Sequence, residues 1–140
     1  MRVVLNTSVV VSAVLGGTSR DVLDALRAGR HTMVASTVIS SEHAAVLRRE
    51  EFGFSAAAIS LVIELFLRRA EIATPVEHLR VVVDDPTDDA FLEAALAGQA
   101  DVVVSGDRHL LAIGAFRSIP ILRVKDFLSR LESSGQPPQM

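Results

Sequence analysis

Short apolar runs rich in β-branched residues alternate with helical stretches from one end of this chain to the other, and that alternation constrains the fold more than any other feature. Arg2–Leu5 opens the chain as a run of the kind a fully buried strand shows. A helical stretch around Val9–Leu15 stops at Gly16-Gly17. Ser19 is placed to cap a second helix with Val22, Leu23 and Leu26 on one face and Gly29 as its stop. Thr32–Ala35 reads as a short strand. Ser36 or Thr37 caps a helix reaching about Glu50, and Ser55 caps another to about Arg69, with Ile59, Val62, Ile63, Phe66 and Leu67 as its stripe. Ile72–Thr74 and Arg80–Val83 read as short strands, Thr87–Ala97 as a helix ended by Gly98, and Asp101–Ser105 as a strand around Val102-Val103-Val104. A helix over Arg108–Ile113, a strand over Ile119–Arg123 and a helix over Val124–Leu131 complete the series. Strands alternating with helices imply an α/β fold: three layers, α/β/α, around a mainly parallel sheet. Residues 1–132 form one domain on this reading, and the polar, Pro-bearing 133–140 form a disordered tail.

A length of 140 residues suits a single core. Apolar residues make up 49% and aromatics only 4%, so Val, Leu, Ile and Ala must build that core. With no cysteine there is neither a disulfide framework nor a thiolate metal site. No apolar run approaches the roughly 20 residues of a membrane span, and the opening run is shorter than a secretory signal requires. A cytoplasmic location is the expectation. The net charge of −3 means that any nucleic-acid contact must rest on a local patch and not on the overall field.

In an open parallel sheet, ligands bind beyond the carboxyl ends of the strands. Asn6 follows the first strand and Asp107 follows Val104-Ser105-Gly106. Each reads either as a helix cap or as a ligand-bearing side chain. Glu42 shares a helix face with Val38, Ile39, Ala45 and Val46, so its carboxylate lies in an apolar stripe. There it needs a metal, an Arg or donors, unless it reaches water. Asp88 extends the face of Phe91 and Leu92 into the first turn of its helix. Asp85-Pro86-Thr87-Asp88-Asp89 is also simply a good helix start. The set counts for more than its members. Three carboxylates and Asn6 converging on one sheet edge require an offsetting charge. All-oxygen ligands select Mg²⁺ or Mn²⁺, the ions of phosphodiester hydrolysis. The sequence holds no G-x-G-x-x-G, P-loop or G-x-S-x-G motif, and His31, His43, His78 and His109 show no metal-ligand spacing. His109 reads as a surface residue at the edge of the site.

Taken in order, the first strand with Asn6-Thr7-Ser8, Glu42 on a mid-chain helix, Asp85-Pro86-Thr87-Asp88-Asp89, ADVVVSGDRHLL (Ala100–Leu111) and IPILRVKDFL (Ile119–Leu128) resemble PIN domains. The likeness is greatest to bacterial VapC-like toxin ribonucleases of toxin–antitoxin pairs, and it covers about residues 1 to 130. It implies a metal-dependent endoribonuclease with Mg²⁺ or Mn²⁺ on Asn6, Glu42, Asp88 and Asp107, with Ser8 and Ser105 in support and Arg108 on the RNA. It also implies an RNA substrate, a cognate antitoxin and a homodimer. The departure is Asn6, where the family carries Asp. That change removes a full charge and opens an alternative, an inactive PIN-fold module that binds RNA or a protein partner. A signalling receiver domain would need acids directly after the first strand, which Asn6-Thr7-Ser8 does not supply.

Overall fold

β1 (Arg2–Leu5) is paired on both sides by parallel strands, β2 (Thr32–Ala35) and β4 (Val102–Val104), and this triple forms the centre of the sheet. The computed structural model describes residues 1–82 and 85–135. Among these, β3 (Ala70–Ile72) flanks β2, while β6 (Ile119–Leu122) flanks β4 and carries the antiparallel edge strand β5 (Ala115–Phe116). The order β3-β2-β1-β4-β6-β5 places the two halves of the chain on either side of β1, with every pairing parallel except the last.

The period-two alternation of the central strands divides the core into two layers. Val3, Leu5, Val102 and Val104 point to one face and pack with α1 (Thr7–Leu15), α2 (Thr18–Arg27), α4 (Ala56–Arg69) and α7 (Val124–Gly135). Val4 and Val103 point to the other, against α5 (Asp89–Ala97) and α6 (Arg108–Ile113). The three-layer α/β/α arrangement expected from the alternation is therefore the one observed. α3 (Thr37–Leu47) contributes Ile39 to one layer and Leu47 to the other, so it crosses the carboxyl edge of the sheet. Gly98, after α5, lies so close to β2 that a Cβ there would come within 2.2 Å of Val34.

Several local expectations need correction. Ser19 does not cap α2; Gly17 stands at that position without a side-chain bond. Ser36 and Ser55 do cap α3 and α4, accepting from the backbone N–H of Ile39 and Ala58. α3 ends at Leu47, and a separate 3₁₀ turn spans Glu50–Phe52. In α4 the buried positions are Val62 and Leu65, whereas Leu67 is 80% exposed. β3 starts at Ala70 because the strand continues directly from α4, two residues before the expected Ile72.

Residues 80–82 are not a strand. The backbone N–H groups of Val81 and Val82 donate to Asp89 and that of Leu79 donates to Glu93, so side chains of α5 take the place of a neighbouring strand. Val83 lies outside the described residues. α7 continues to Gly135, past the expected end at Leu131, and residues 136–140 of the expected tail lie outside the described residues. No helix among the described residues is long and apolar enough to cross a membrane.

Candidate metal centre at the carboxyl edge of the sheet

The first corner of the site follows β1. Asn6 is 4% exposed and caps α1: its Oδ1 accepts from the Ser8 backbone N–H at 3.1 Å and from the Ser8 hydroxyl at 2.6 Å. The same hydroxyl oxygen accepts from the Gly106 N–H at 3.0 Å, which ties this corner to the one after β4. Thr7 donates its hydroxyl to Glu42 Oε2 at 2.7 Å. Because α3 crosses the sheet edge, Glu42 is brought beside β1. The next residue, His43, turns into the core, where Nε2 donates to the Leu5 carbonyl at 3.1 Å. Burial lowers the His43 pKa to about 4, so the ring is neutral.

The stripe expected around Glu42 is only partly right. Ile39 and Val46 are buried, but Ala45 is exposed and Val38 is 65% exposed. Glu42 stands at the margin of the apolar face and is half-buried.

The second corner follows β4. Ser105 is fully buried and its hydroxyl oxygen accepts from the Asp107 N–H at 2.9 Å. Asp107 Oδ1 in turn accepts from the His109 N–H at 2.7 Å as the cap of α6. The cap reading and the site reading of Asp107 are thus compatible: one oxygen caps the helix, and the carboxylate still lines the cleft.

The third corner is the 3₁₀ turn Pro86–Asp88 before α5. Its two adjacent acids behave differently. Asp89 is consumed by the backbone of residues 81 and 82. Asp88 is 5% exposed, and its Oδ2 is buried without a hydrogen-bond partner among the described residues. Burial, the charges of Asp107 and Asp85, a hydrogen bond of the protonated form to the Asp107 side chain, and the charge of Glu42 push the Asp88 pKa up to about 7.

Asn6, Ser8, Glu42, Asp88 and Asp107 all line one cleft of about 530 Å³. Asp88, Asp107 and His109 each offer a ligand atom within 4.8 Å of the other two. His109 is the residue that the sequence reading placed outside the cluster. Its helix starts at Arg108, which turns the imidazole back over the Asp107 cap, with Nδ1 3.7 Å from Oδ1. Arg108 is exposed and is not among the residues that line the cleft, whereas Arg49 is.

A PIN domain family model matches residues 2–109, which takes in all three corners. The chain belongs to the PIN domain family. Proteins of this family are generally nucleases that use divalent metals. A PIN domain thus accounts for a nuclease-like fold with a carboxylate cluster at its carboxyl edge. Among solved structures, the crystal structure of PAE2754 from Pyrobaculum aerophilum aligns with a TM-score of 0.58 at 20% identity, over 95% of this chain and 90% of that one. That likeness concerns the fold. No curated protein matches the sequence.

The donor set fits a hard divalent cation. It consists of the Asp88 and Asp107 carboxylates with the His109 imidazole within reach of both, while Glu42 lines the same cleft outside that group; one Asp88 oxygen is buried and unpartnered, and no Arg or Lys pairs with Glu42, Asp88 or Asp107 among the described residues.

Proposed function

We propose that this PIN domain is a Mg²⁺- or Mn²⁺-dependent endoribonuclease and the toxin of a toxin–antitoxin pair, acting in the cytoplasm. The observation that carries the reading is the buried Oδ2 of Asp88, unpartnered among the described residues, beside Asp107 in the cleft. A carboxylate kept protonated to about pH 7 by burial and by its acidic neighbours is an unusual expense for a stable fold, and a cation offsets it.

Glu42, Asp88 and Asp107 would hold the ion, which when bound supplies charge for a phosphoryl oxygen and acidifies a water for in-line attack. The protein's own groups set up that arrangement. Thr7 fixes the Glu42 carboxylate, the His109 N–H fixes the Asp107 carboxylate, Ser105 holds the Asp107 backbone within the β4 corner, and Ser8 locks that corner to the β1 corner. Asp88 holds its proton until it is displaced. Arg49, at the margin of the cleft, is placed to meet a backbone phosphate.

Asn6 favours a second reading, a module that binds RNA or a protein partner without cleaving. The two readings separate in an assay of Mn²⁺-dependent cleavage of a mixed RNA pool. The chain is compared with Asn6→Asp and with Asn6→Asp carrying Asp88→Ala. Cleavage by Asn6→Asp that Asp88→Ala reduces by at least roughly 100-fold supports the metal centre. A silent parent beside an active Asn6→Asp assigns this chain the binding role. No cleavage by any of the three removes the nuclease reading.

A further inference from the structure

The hydrogen bonds at Asn6 fix which end of its amide faces the cleft. The Ser8 backbone N–H can only donate, so the Asn6 atom 3.1 Å away is the carbonyl oxygen. The Ser8 hydroxyl, which already accepts from the Gly106 N–H, donates its own proton to that same oxygen. Both acceptor positions of Oδ1 are thereby taken by Ser8. The remaining group, Nδ2, has no acceptor among the described residues, although Asn6 is 4% exposed and lines the cleft. An amide nitrogen has no lone pair to give a cation; it can only donate hydrogen bonds.

We propose that Asn6 serves the cleft as a hydrogen-bond donor to a phosphate oxygen of the bound nucleic acid and not as a metal ligand, so that the cation is held without it, at Asp88 and Asp107 with Glu42 and His109 beside them. This rests on the reading of the cleft as a metal-dependent nucleic-acid site, and it gives a role to Asn6, where the resemblance implies Asp. An aspartate at this position would keep one oxygen on Ser8 and turn a second toward the cleft, where it repels phosphate and attracts metal. Asparagine turns an N–H₂ there instead. The chemistry recognised is an oxyanion, and a phosphodiester backbone supplies it whatever the base sequence.

Three variants, Asn6→Ser, Asn6→Ala and Asn6→Asp, separate the two roles. Serine retains a capping oxygen for α1 and lacks the amide nitrogen, so it guards against a folding defect in the alanine variant. Mn²⁺ affinity is measured by titration calorimetry. Affinity for a short 2′-O-methyl RNA, which resists cleavage, is measured by fluorescence anisotropy at saturating Mn²⁺. The expected result is Mn²⁺ affinity in Asn6→Ser and Asn6→Ala within about threefold of the parent, with RNA affinity about tenfold lower, the loss of one hydrogen bond to a charged acceptor. Asn6→Asp gains Mn²⁺ affinity. A tenfold or greater loss of Mn²⁺ affinity in Asn6→Ser overturns the proposal, because the oxygen would then be a ligand, and so does unchanged RNA affinity in both neutral variants. If neither the parent nor Asn6→Asp binds Mn²⁺, the metal-centre reading fails. The RNA comparison, run without metal, then still decides whether the amide donates.

Discussion

The two ends of the same parallel strands treat acidic residues in opposite ways. At the amino end of β1 and β4, Asp101 accepts from the Arg2 backbone N–H at 2.7 Å. Glu71 accepts from the Arg2 guanidinium at 2.6 Å, and Arg2 Nε donates to the Gly98 carbonyl. Asp101 and Glu71 each have a cationic or backbone partner, in a partly exposed setting. At the carboxyl end, Glu42 receives a hydroxyl donor and Asp107 a backbone donor, and Asp88 Oδ2 receives none among the described residues. The first arrangement pins strands together. The second retains a charge imbalance that costs stability, which is what a cation site requires.

Thr7→Val sharpens the contrast most. It removes the donor that orients Glu42, and Mn²⁺ affinity should fall about tenfold, as for an outer partner of a metal ligand. Titration calorimetry checks this, with Thr7→Ser restoring the affinity.

A smaller effect is expected from Asp88→Asn without metal. Asp88 takes up its proton near pH 7 in the folded chain and near 3.8 when unfolded, so the folded state binds more protons between those values. The stability due to this group therefore falls as pH rises across the window and is level above it. Asp88→Asn should raise the melting temperature by a few degrees at pH 7 to 8 and by nothing near pH 4. His43 carries the other sign. Its pKa drops from 6.5 unfolded to about 4 folded, so its contribution is lost as pH falls from 6.5 to 4. Because Asp88→Asn leaves His43 in place, subtracting parent from variant at each pH isolates Asp88.

The smallest effect belongs to the amino end. Arg2→Met should cost about 1 kcal/mol in urea unfolding, more at low salt than at high, and leave Mn²⁺ binding unchanged. A loss of Mn²⁺ affinity there would break the comparison.

Much of this organisation is legible in the sequence because the central strands are unambiguous. Residues 3–5 of β1 and all of Val102–Val104 are buried on both faces, and only an apolar run rich in β-branched residues satisfies that. Asn6 and Asp107 follow directly from where those strands end. Glu42 is reached through helical spacing, although Val38 and Ala45 prove to be exposed: a helix that crosses a sheet edge buries a narrower stripe than one lying along a face. The hairpin strand Ala115–Phe116 and the fixing of residues 79–82 by Asp89 and Glu93 have no local signal. Both depend on partners that only the tertiary fold supplies. His109 is missed for the same reason: its spacing from the other histidines is uninformative, and what matters is its distance from Asp88, 21 positions away in the chain.

The central claim is that the uncompensated carboxylates at the carboxyl end form a divalent cation site. Calorimetric titration of Mn²⁺ into the chain and into Asp88→Asn, near pH 7 in two buffers of different ionisation enthalpy, tests it most directly. The account predicts binding by the parent with release of a proton, since the ion displaces the one held on Asp88, and weak or absent binding by Asp88→Asn. No binding by the parent at millimolar Mn²⁺, or equal binding by both chains, would contradict it.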